Sequence, residues 1–338
     1  MVEPFMPMPL TYEAGAGLGA LQGVAEFLPI SSSAHLALAQ HFLGIGTANF
    51  FDLLLHVGTL AAVVWYSRGL FRRNPHADPG THPPLYEPRT LLRIGLLVAL
   101  AVAPSGVRLA FKETKPGAEP TWRSRFGDLR EQAGERPWMV LGFLSVTSVV
   151  LVMAARATGG TVDALTMKPW QAVAIGAAQA CSAMCPGLSR SGMTISAALL
   201  LGLRPAWAVT FSLLMSIPTI LAATASEFRK LEPGWFQANA GPAALGTLIA
   251  AVVGWSSIGL LAKSATRGRW GWFAAYLWVV IAGCAAALLL GAGQVAAHSQ
   301  LPHLVADERN VLRAIVSDVR GGRKEVAHVP EIIGFFFQ

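Results

Sequence analysis

Six apolar runs, each about long enough to cross a bilayer, constrain this chain more than any other feature. They lie at residues 49–66, 90–111, 138–155, 206–226, 241–262 and 271–291. A hydrocarbon core needs about 20 consecutive apolar residues in a helix. Composition agrees: 13% of the residues are charged, against about 25% in a typical soluble domain. The chain therefore reads as an all-α polytopic membrane protein. Its net charge of +7 does not point to nucleic acid, because the Lys and Arg residues are scattered among short loops and form no basic face. Basic loops of this kind reflect orientation and anionic lipid. No basic stretch precedes the first apolar run, and the first Lys or Arg is Arg68, so no cleavable leader is expected.

Two more apolar stretches are too short to span and are broken in the middle. One runs from about 9 to 24, breaks at Pro29-Ile-Ser-Ser-Ser33 and resumes over 34–43. The other runs over 170–185, breaks at Pro186-Gly187 and resumes over 189–201, with Ser189 placed as a helix N-cap. Broken backbone at membrane depth is tolerated only where it is buried in protein or lines a cavity. The two stretches also echo each other. An offset of 157 residues superimposes Gly19 on Gly176, Gln22 on Gln179, Pro29 on Pro186 and Ser32 on Ser189.

Each half is thus expected to be a re-entrant helix pair followed by three transmembrane helices, which makes six full spans and two re-entrant pairs. An odd number of crossings inserts the second half upside down, an inverted-topology repeat whose two tips meet near the midplane. The single membrane domain covers 1–291, with repeat 1 at about 9–155 and repeat 2 at about 170–291. Residues 112–137 form a mixed-charge loop, its latter part read as a short surface helix. Residues 292–338 form a polar, amphipathic tail. Arg68, Arg72 and Arg73, with Lys263, Arg267 and Arg269, favour an outside N-terminus. The loop at 112–137 argues the other way, with six basic residues against five acidic ones.

Ionisable groups in such surroundings mark function by default. In Pro186-Gly187-Leu-Ser189-Arg190-Ser191-Gly192 the glycines let a ligand approach the backbone. A helix starting there presents free N–H groups and a positive dipole end to an anion, and Arg190 adds a planar fork suited to phosphate oxygens. In the first stretch Gln22 and Glu26 share a helix face at i and i+4, followed by Ser31, Ser32, Ser33 and His35. A carboxylate, a hydroxyl and an imidazole within reach are the parts of an activated nucleophile with its acid/base partner. Alternatively, Glu26 holds a divalent cation that bridges phosphates, or it pairs with Arg190 simply to join the tips. Asp52 and His56, at i and i+4 on the first span, read equally as cavity lining or as a satisfied polar pair. Cys181, Cys185 and Cys284 read as small apolar residues, since nothing completes a zinc site.

With these residues in place the chain resembles the undecaprenyl-diphosphatase family of bacterial membrane proteins, also called bacitracin-resistance proteins. That family is marked by (E/Q)xxxE, FLPxSSxxH and PGxSRSG. Here they read Gln22-xxx-Glu26, Phe27-Leu-Pro29-Ile-Ser31-Ser32-Ser33-Ala-His35 and Pro186-Gly187-Leu-Ser189-Arg190-Ser191-Gly192. The segments Phe51-Asp-Leu-Leu-Leu-His-Val-Gly58 and Thr210-Phe-Ser-Leu-Leu-Met-Ser-Ile-Pro218 are similar too, and the likeness covers roughly 9–290. Three departures stand out. Gln22 stands where many members have Glu, which weakens a two-carboxylate metal site. Ser33-Ala34 replaces the more usual Thr-Gly. The loop at 112–137 and the tail lie outside the pattern.

The resemblance implies hydrolysis of undecaprenyl diphosphate to undecaprenyl phosphate and inorganic phosphate in the bacterial inner membrane, from a site facing outward. Arg190, with Ser189, Ser191 and the N–H groups around Gly187 and Gly192, then clamps phosphate. Ser32 is either the nucleophile or a phosphate ligand, with Ser31 and Ser33 beside it. His35 is either acid/base or itself the nucleophile. Glu26, supported by Gln22, is base, orienter of His35 or ligand of Mg²⁺ or Ca²⁺; no organic cofactor is expected. A monomer and a homodimer both stay open. A transporter or flippase of a prenyl phosphate lipid is the alternative, since inverted repeats with re-entrant tips are typical of carriers. The chemistry of the repeat is unequal, though: Glu26 falls on Ala183, His35 on Gly192 and Ser33 on Arg190. That asymmetry favours an enzyme.

Overall fold

The computed structural model describes residues 10–43, 49–70, 87–110, 136–227 and 235–290. Residues 1–9, most of the loop at 112–137 and the tail at 292–338 lie outside the described residues. The helices in chain order are α1 (Tyr12–Phe27), α2 (Ser32–Leu43), α3 (Asn49–Leu70), α4 (Pro88–Val102), α5 (Pro137–Ala155), α6 (Pro169–Met184), α7 (Arg190–Leu200), α8 (Pro205–Glu227), α9 (Trp235–Thr266) and α10 (Trp270–Leu290). Among the described residues there is no strand, only an isolated bridge between Val162 and Leu203. Residues up to Cys284 form one compact unit; beyond it only 285–290, the end of α10, are described.

Local chemistry explains where these helices begin and end. Four of them, α4, α5, α6 and α8, open on proline, whose missing N–H is harmless in a first turn. Thr11 caps α1 by accepting from the Ala14 N–H at 3.1 Å. Near Pro104 the helix changes type: α4 ends at Val102 and the chain continues as a 3₁₀ helix, Ala103–Ala110. Pro104 cannot donate to the carbonyl four residues back, so the α ladder stops there.

Six helices are long and apolar enough to cross a membrane: Phe50–Gly69, Pro88–Gly106, Pro137–Ala155, Pro205–Ala225, Asn239–Ala265 and Trp270–Leu290. They coincide with the six apolar runs of the sequence. The other four helices have 16, 12, 16 and 11 residues. At 1.5 Å per residue, the longest reaches only about 24 Å, short of a hydrocarbon core of about 30 Å.

These short helices are held by close backbone contacts. α1 lies along α9 and α3, while α6 lies along α4 and its 3₁₀ extension. A Cβ placed on Gly19 would run into the Gly246 carbonyl of α9, and one on Gly176 into the Ala101 carbonyl of α4. Gly19 and Gly176 are the two glycines that the offset of 157 superimposes. The repeated glycine therefore has a steric cause: it lets the first helix of each half touch the fourth helix of the other. Around the first contact Leu18, Leu36, Phe51, Leu55, Ala243 and Ala250 form a buried cluster. α3 also packs on α8, and α5 on α7.

The connection from α5 to α6 is pinned. The Asp163 carboxylate accepts from the backbone N–H groups of Leu165 (3.0 Å) and Thr166 (3.1 Å) and from the Thr166 hydroxyl. Arg93 of α4 donates to the carbonyls of Ala164 and Met167. Burial alone would push the Asp163 carboxyl up, but the Thr166 and Leu165 hydrogen bonds and nearby Arg204 outweigh it and hold the carboxyl below its ordinary range.

Gly19→Ala or Gly176→Ala should destabilise the folded protein by about 1–3 kcal/mol, the usual penalty of over-packing, measured as a lower melting temperature in detergent. Gly17→Ala, where a Cβ meets nothing within 4 Å, should leave it unchanged. For Asp163 the depressed carboxyl adds stability at neutral pH that is lost as pH falls through its folded value. Asp163→Ala should therefore melt below the parent at pH 7, with the gap closing as pH drops below about 4.

Candidate active site

The two helix breaks face each other, and their side chains close the gap. At the first, α1 ends at Phe27 and α2 begins at Ser32. Between them Ser31 takes φ 70°, a left-handed conformation that a non-glycine residue holds only when its surroundings enforce it. Here the enforcement is visible. The Ser31 hydroxyl caps α2 by accepting from the Ala34 N–H at 3.3 Å, and its carbonyl accepts from the His35 backbone N–H and from His35 Nδ1 at 2.8 Å. At the second break Gly187 has φ 98°. Ser189 caps α7 by accepting from the Gly192 N–H at 3.0 Å, and its own N–H donates to Thr147 Oγ1 of α5 at 3.1 Å. The Ser191 hydroxyl donates to the Leu28 carbonyl at 2.9 Å, so one break is tied directly to the other.

Glu26 is the centre of the junction. Its carboxylate is 3% exposed. One oxygen, Oε1, is paired with the Arg190 guanidinium from α7. The other, Oε2, accepts from Gln22 Nε2 at 2.9 Å and from the Ser32 hydroxyl at 2.7 Å, with His56 Nε2 of α3 at 3.5 Å. Leaving either ion unpaired in an apolar interior would be strongly destabilising, so the pair holds the two breaks together. The N-termini of α2 and α7 both open here, each bringing first-turn N–H groups and a positive dipole end. The chemistry on offer is a hydroxyl held against a carboxylate, next to a guanidinium and two anion-attracting helix ends.

Several residues singled out from the sequence meet at this point. Gln22, Glu26, Ser32 and Arg190 form the cluster itself, and Ser191 ties the breaks. Ser31, Gly187, Ser189 and Gly192 build the turns and caps. Ser33 is exposed, with its hydroxyl 3.3 Å from that of Ser31. His35 points elsewhere: Nδ1 donates to the Ser31 carbonyl, and Nε2 meets the Tyr276 hydroxyl of α10 at 3.0 Å, the two rings stacked at 5.7 Å. Sequence reasoning missed Tyr276 and Thr147, for which an aromatic or hydroxyl in an apolar helix gives no signal. His56 did have one, its spacing from Asp52. The contact that holds its ring, however, is Nδ1–H to the Asp52 carbonyl at 2.7 Å, while the Asp52 carboxylate accepts from Gln40 at 2.8 Å.

Of the two carboxylates a metal site in this segment could use, only Glu26 is present, with Gln22 in the other position. Mg²⁺ and Ca²⁺ need several oxygen ligands, yet both Glu26 oxygens are engaged and a neutral Gln22 is its helical neighbour. Among the described residues no three His, Cys, Asp or Glu side chains converge on one point.

Fold and junction together define a multi-pass helical membrane protein whose two helix breaks meet at a buried Glu–Arg pair between serine-capped helix ends. The chain belongs to the family described as bacitracin resistance protein BacA, whose family model matches residues 16–284. It is 37% identical to the undecaprenyl-diphosphatase of Syntrophotalea carbinolica over 265 residues, covering 78% of this chain and 94% of that protein. It is also 37% identical to that of Rubrobacter xylanophilus over 284 residues, with 81% and 97% covered. Identity to the Nocardia farcinica undecaprenyl-diphosphatase is 31% over 333 residues, with 85% and 98% covered.

Ser191→Ala should leave the Leu28 carbonyl unpaired in the interior and cost about 1–3 kcal/mol. A melting temperature in detergent equal to the parent's would show that the two breaks do not depend on this tie.

Proposed function

We propose that the chain is a membrane-embedded phosphatase that hydrolyses undecaprenyl diphosphate to undecaprenyl phosphate and inorganic phosphate. It thereby recycles the carrier lipid for cell-wall polymers and confers bacitracin resistance. Membership of the BacA family and the undecaprenyl-diphosphatase relatives support this. The observation that carries the mechanism is the Ser32 hydroxyl donating to the same buried carboxylate that pairs with Arg190.

In this reading Ser32 Oγ attacks the terminal phosphorus and Glu26 takes its proton. Arg190 and the N-termini of α2 and α7 stabilise the charge on the transferring phosphoryl group, whose transfer is mostly positioning and electrostatics. Gln22 fixes the Glu26 carboxylate. Both nitrogens of His35 are engaged, so its role is to hold the Ser31 turn that presents Ser32. The phosphoserine formed is then hydrolysed by water.

The same proposal includes the architecture around the site: α1–α2 and α6–α7 are re-entrant pairs, and the halves form an inverted repeat. Support comes from the crossed packing of α1 on α9 and α6 on α4, with Gly19 and Gly176 at equivalent contacts. An outward-facing site in the bacterial inner membrane is supported by the basic residues after α3 and α9 and by the absence of any before Arg68.

The test is phosphate release from a prenyl diphosphate by the full chain purified in detergent. Glu26→Ala and Arg190→Ala should each lower kcat by about 10²-fold or more, with the variants still monodisperse, and acid-quenched parent enzyme should carry phosphate on Ser32. A twofold effect at either position would remove that residue from the site. No phosphate release by well-folded parent enzyme would end the phosphatase reading and leave a lipid carrier.

A further inference from the structure

We propose that His56 is a proton-relay residue: it acts through Glu26, takes up the proton that leaves Ser32 and returns it in the second half of the reaction. The inference rests on the phosphatase reading of the Glu26–Ser32–Arg190 cluster and extends it to a residue on a different helix.

Three observations support this role for His56. First, its Nε2 lies 3.5 Å from Glu26 Oε2, the very oxygen that accepts the Ser32 hydroxyl at 2.7 Å. Oxygen Oε1, by contrast, is taken by Arg190. One carboxylate oxygen thus meets both the proton source and an imidazole, with Gln22 Nε2 also donating to it at 2.9 Å. Separations of this kind are commonly long before substrate binds and tighten in the complex.

Second, the tautomer is set by the backbone. A carbonyl can only accept, so the 2.7 Å contact with the Asp52 carbonyl keeps a hydrogen on Nδ1. In the neutral ring Nε2 is then the free acceptor, and it is the nitrogen that faces Glu26. The Asp52 carboxylate is held by Gln40 and does not take the ring.

Third, exposure runs in the right order. The side chains of Glu26, Arg190 and His56 are 3%, 20% and 30% exposed. A proton left on Glu26 would cancel the charge that holds Arg190, and the burial of Glu26 keeps it from releasing that proton directly to solvent. His56 is the more open neighbour. The charged and titratable groups around its ring are Glu26 on α1, with Arg190 of α7 behind it, and Asp52 one turn back on α3.

The proton balance closes. As Ser32 Oγ bonds to the terminal phosphorus, the anhydride P–O bond breaks and its electron pair leaves on the lipid monophosphate. The hydroxyl proton passes to Glu26 Oε2 and on to His56 Nε2. Water then attacks the phosphoserine, the Ser32 Oγ–P bond breaks, and the proton held at His56 returns through Glu26 to Ser32 Oγ. Both hydrogens of the water leave with inorganic phosphate.

The experiment measures kcat and KM for prenyl diphosphate hydrolysis by the full chain in detergent, for the parent, His56→Gln, His56→Ala and Ser32→Ala, each checked for a monodisperse, cooperative melt. The expected result is a loss of about 10²-fold in kcat for both His56 variants with KM little changed, and partial recovery of His56→Ala when imidazole is added. A merely structural histidine would not yield to imidazole in this way. Full kcat in His56→Gln while Ser32→Ala is inactive overturns the relay alone, as does a loss in His56→Ala that imidazole leaves untouched. An active Ser32→Ala overturns the reading of the cluster, and the relay with it.

Discussion

A carboxylate and a guanidinium cannot be left separately in an apolar interior, and this molecule is arranged around that constraint. Glu26 sits at the end of α1 and Arg190 at the start of α7, 164 residues later in the chain. Each would be strongly destabilising alone. Together they need their helices to end face to face, and the turns, caps and hydroxyl ties around them meet that need. Ser31 accepts an unfavourable backbone conformation, Gly187 supplies another, and Ser191 reaches across to the Leu28 carbonyl.

Such a junction requires short helices held rigidly, and neither α1 nor α6 can be anchored by length. Their anchorage is backbone contact at Gly19 and Gly176, where even a methyl group would collide with a carbonyl. Without a large hydrophobic driving force between helices in lipid, close approach of small residues is the available source of packing energy. The glycines and the ion pair are thus two ends of one design: one sets where the short helices lie, the other what they present.

The chemistry at the junction is unequal although the backbone is repeated. Glu26 and Ser32 come from the first break and Arg190 from the second, so the ion pair joins one half to the other. His35 and His56 show how much depends on which neighbour a ring meets. The first is drawn by the Ser31 carbonyl and Tyr276 into holding the turn. The second, fixed by the Asp52 carbonyl, faces Glu26.

What could be read from the sequence was whatever depends on nearby residues. Apolar run length defined the six spanning helices to within a few residues. Proline, glycine and serine marked the two breaks and the Ser189 cap. The repeated Gly-xx-Gln and Pro-xx-Ser spacing pointed to Glu26, Ser32 and Arg190 as one site, because charge at membrane depth is too costly to keep without a use. The contacts between distant helices were not legible: α1 against α9, His35 against Tyr276, His56 against Glu26. A helical periodicity says which residues share a face, but the facing partner is chosen by packing across the whole chain. The residues available for chemistry were therefore determined by sequence alone, while the partners each of them meets were decided by tertiary structure, because the facing atoms are chosen by packing between distant helices.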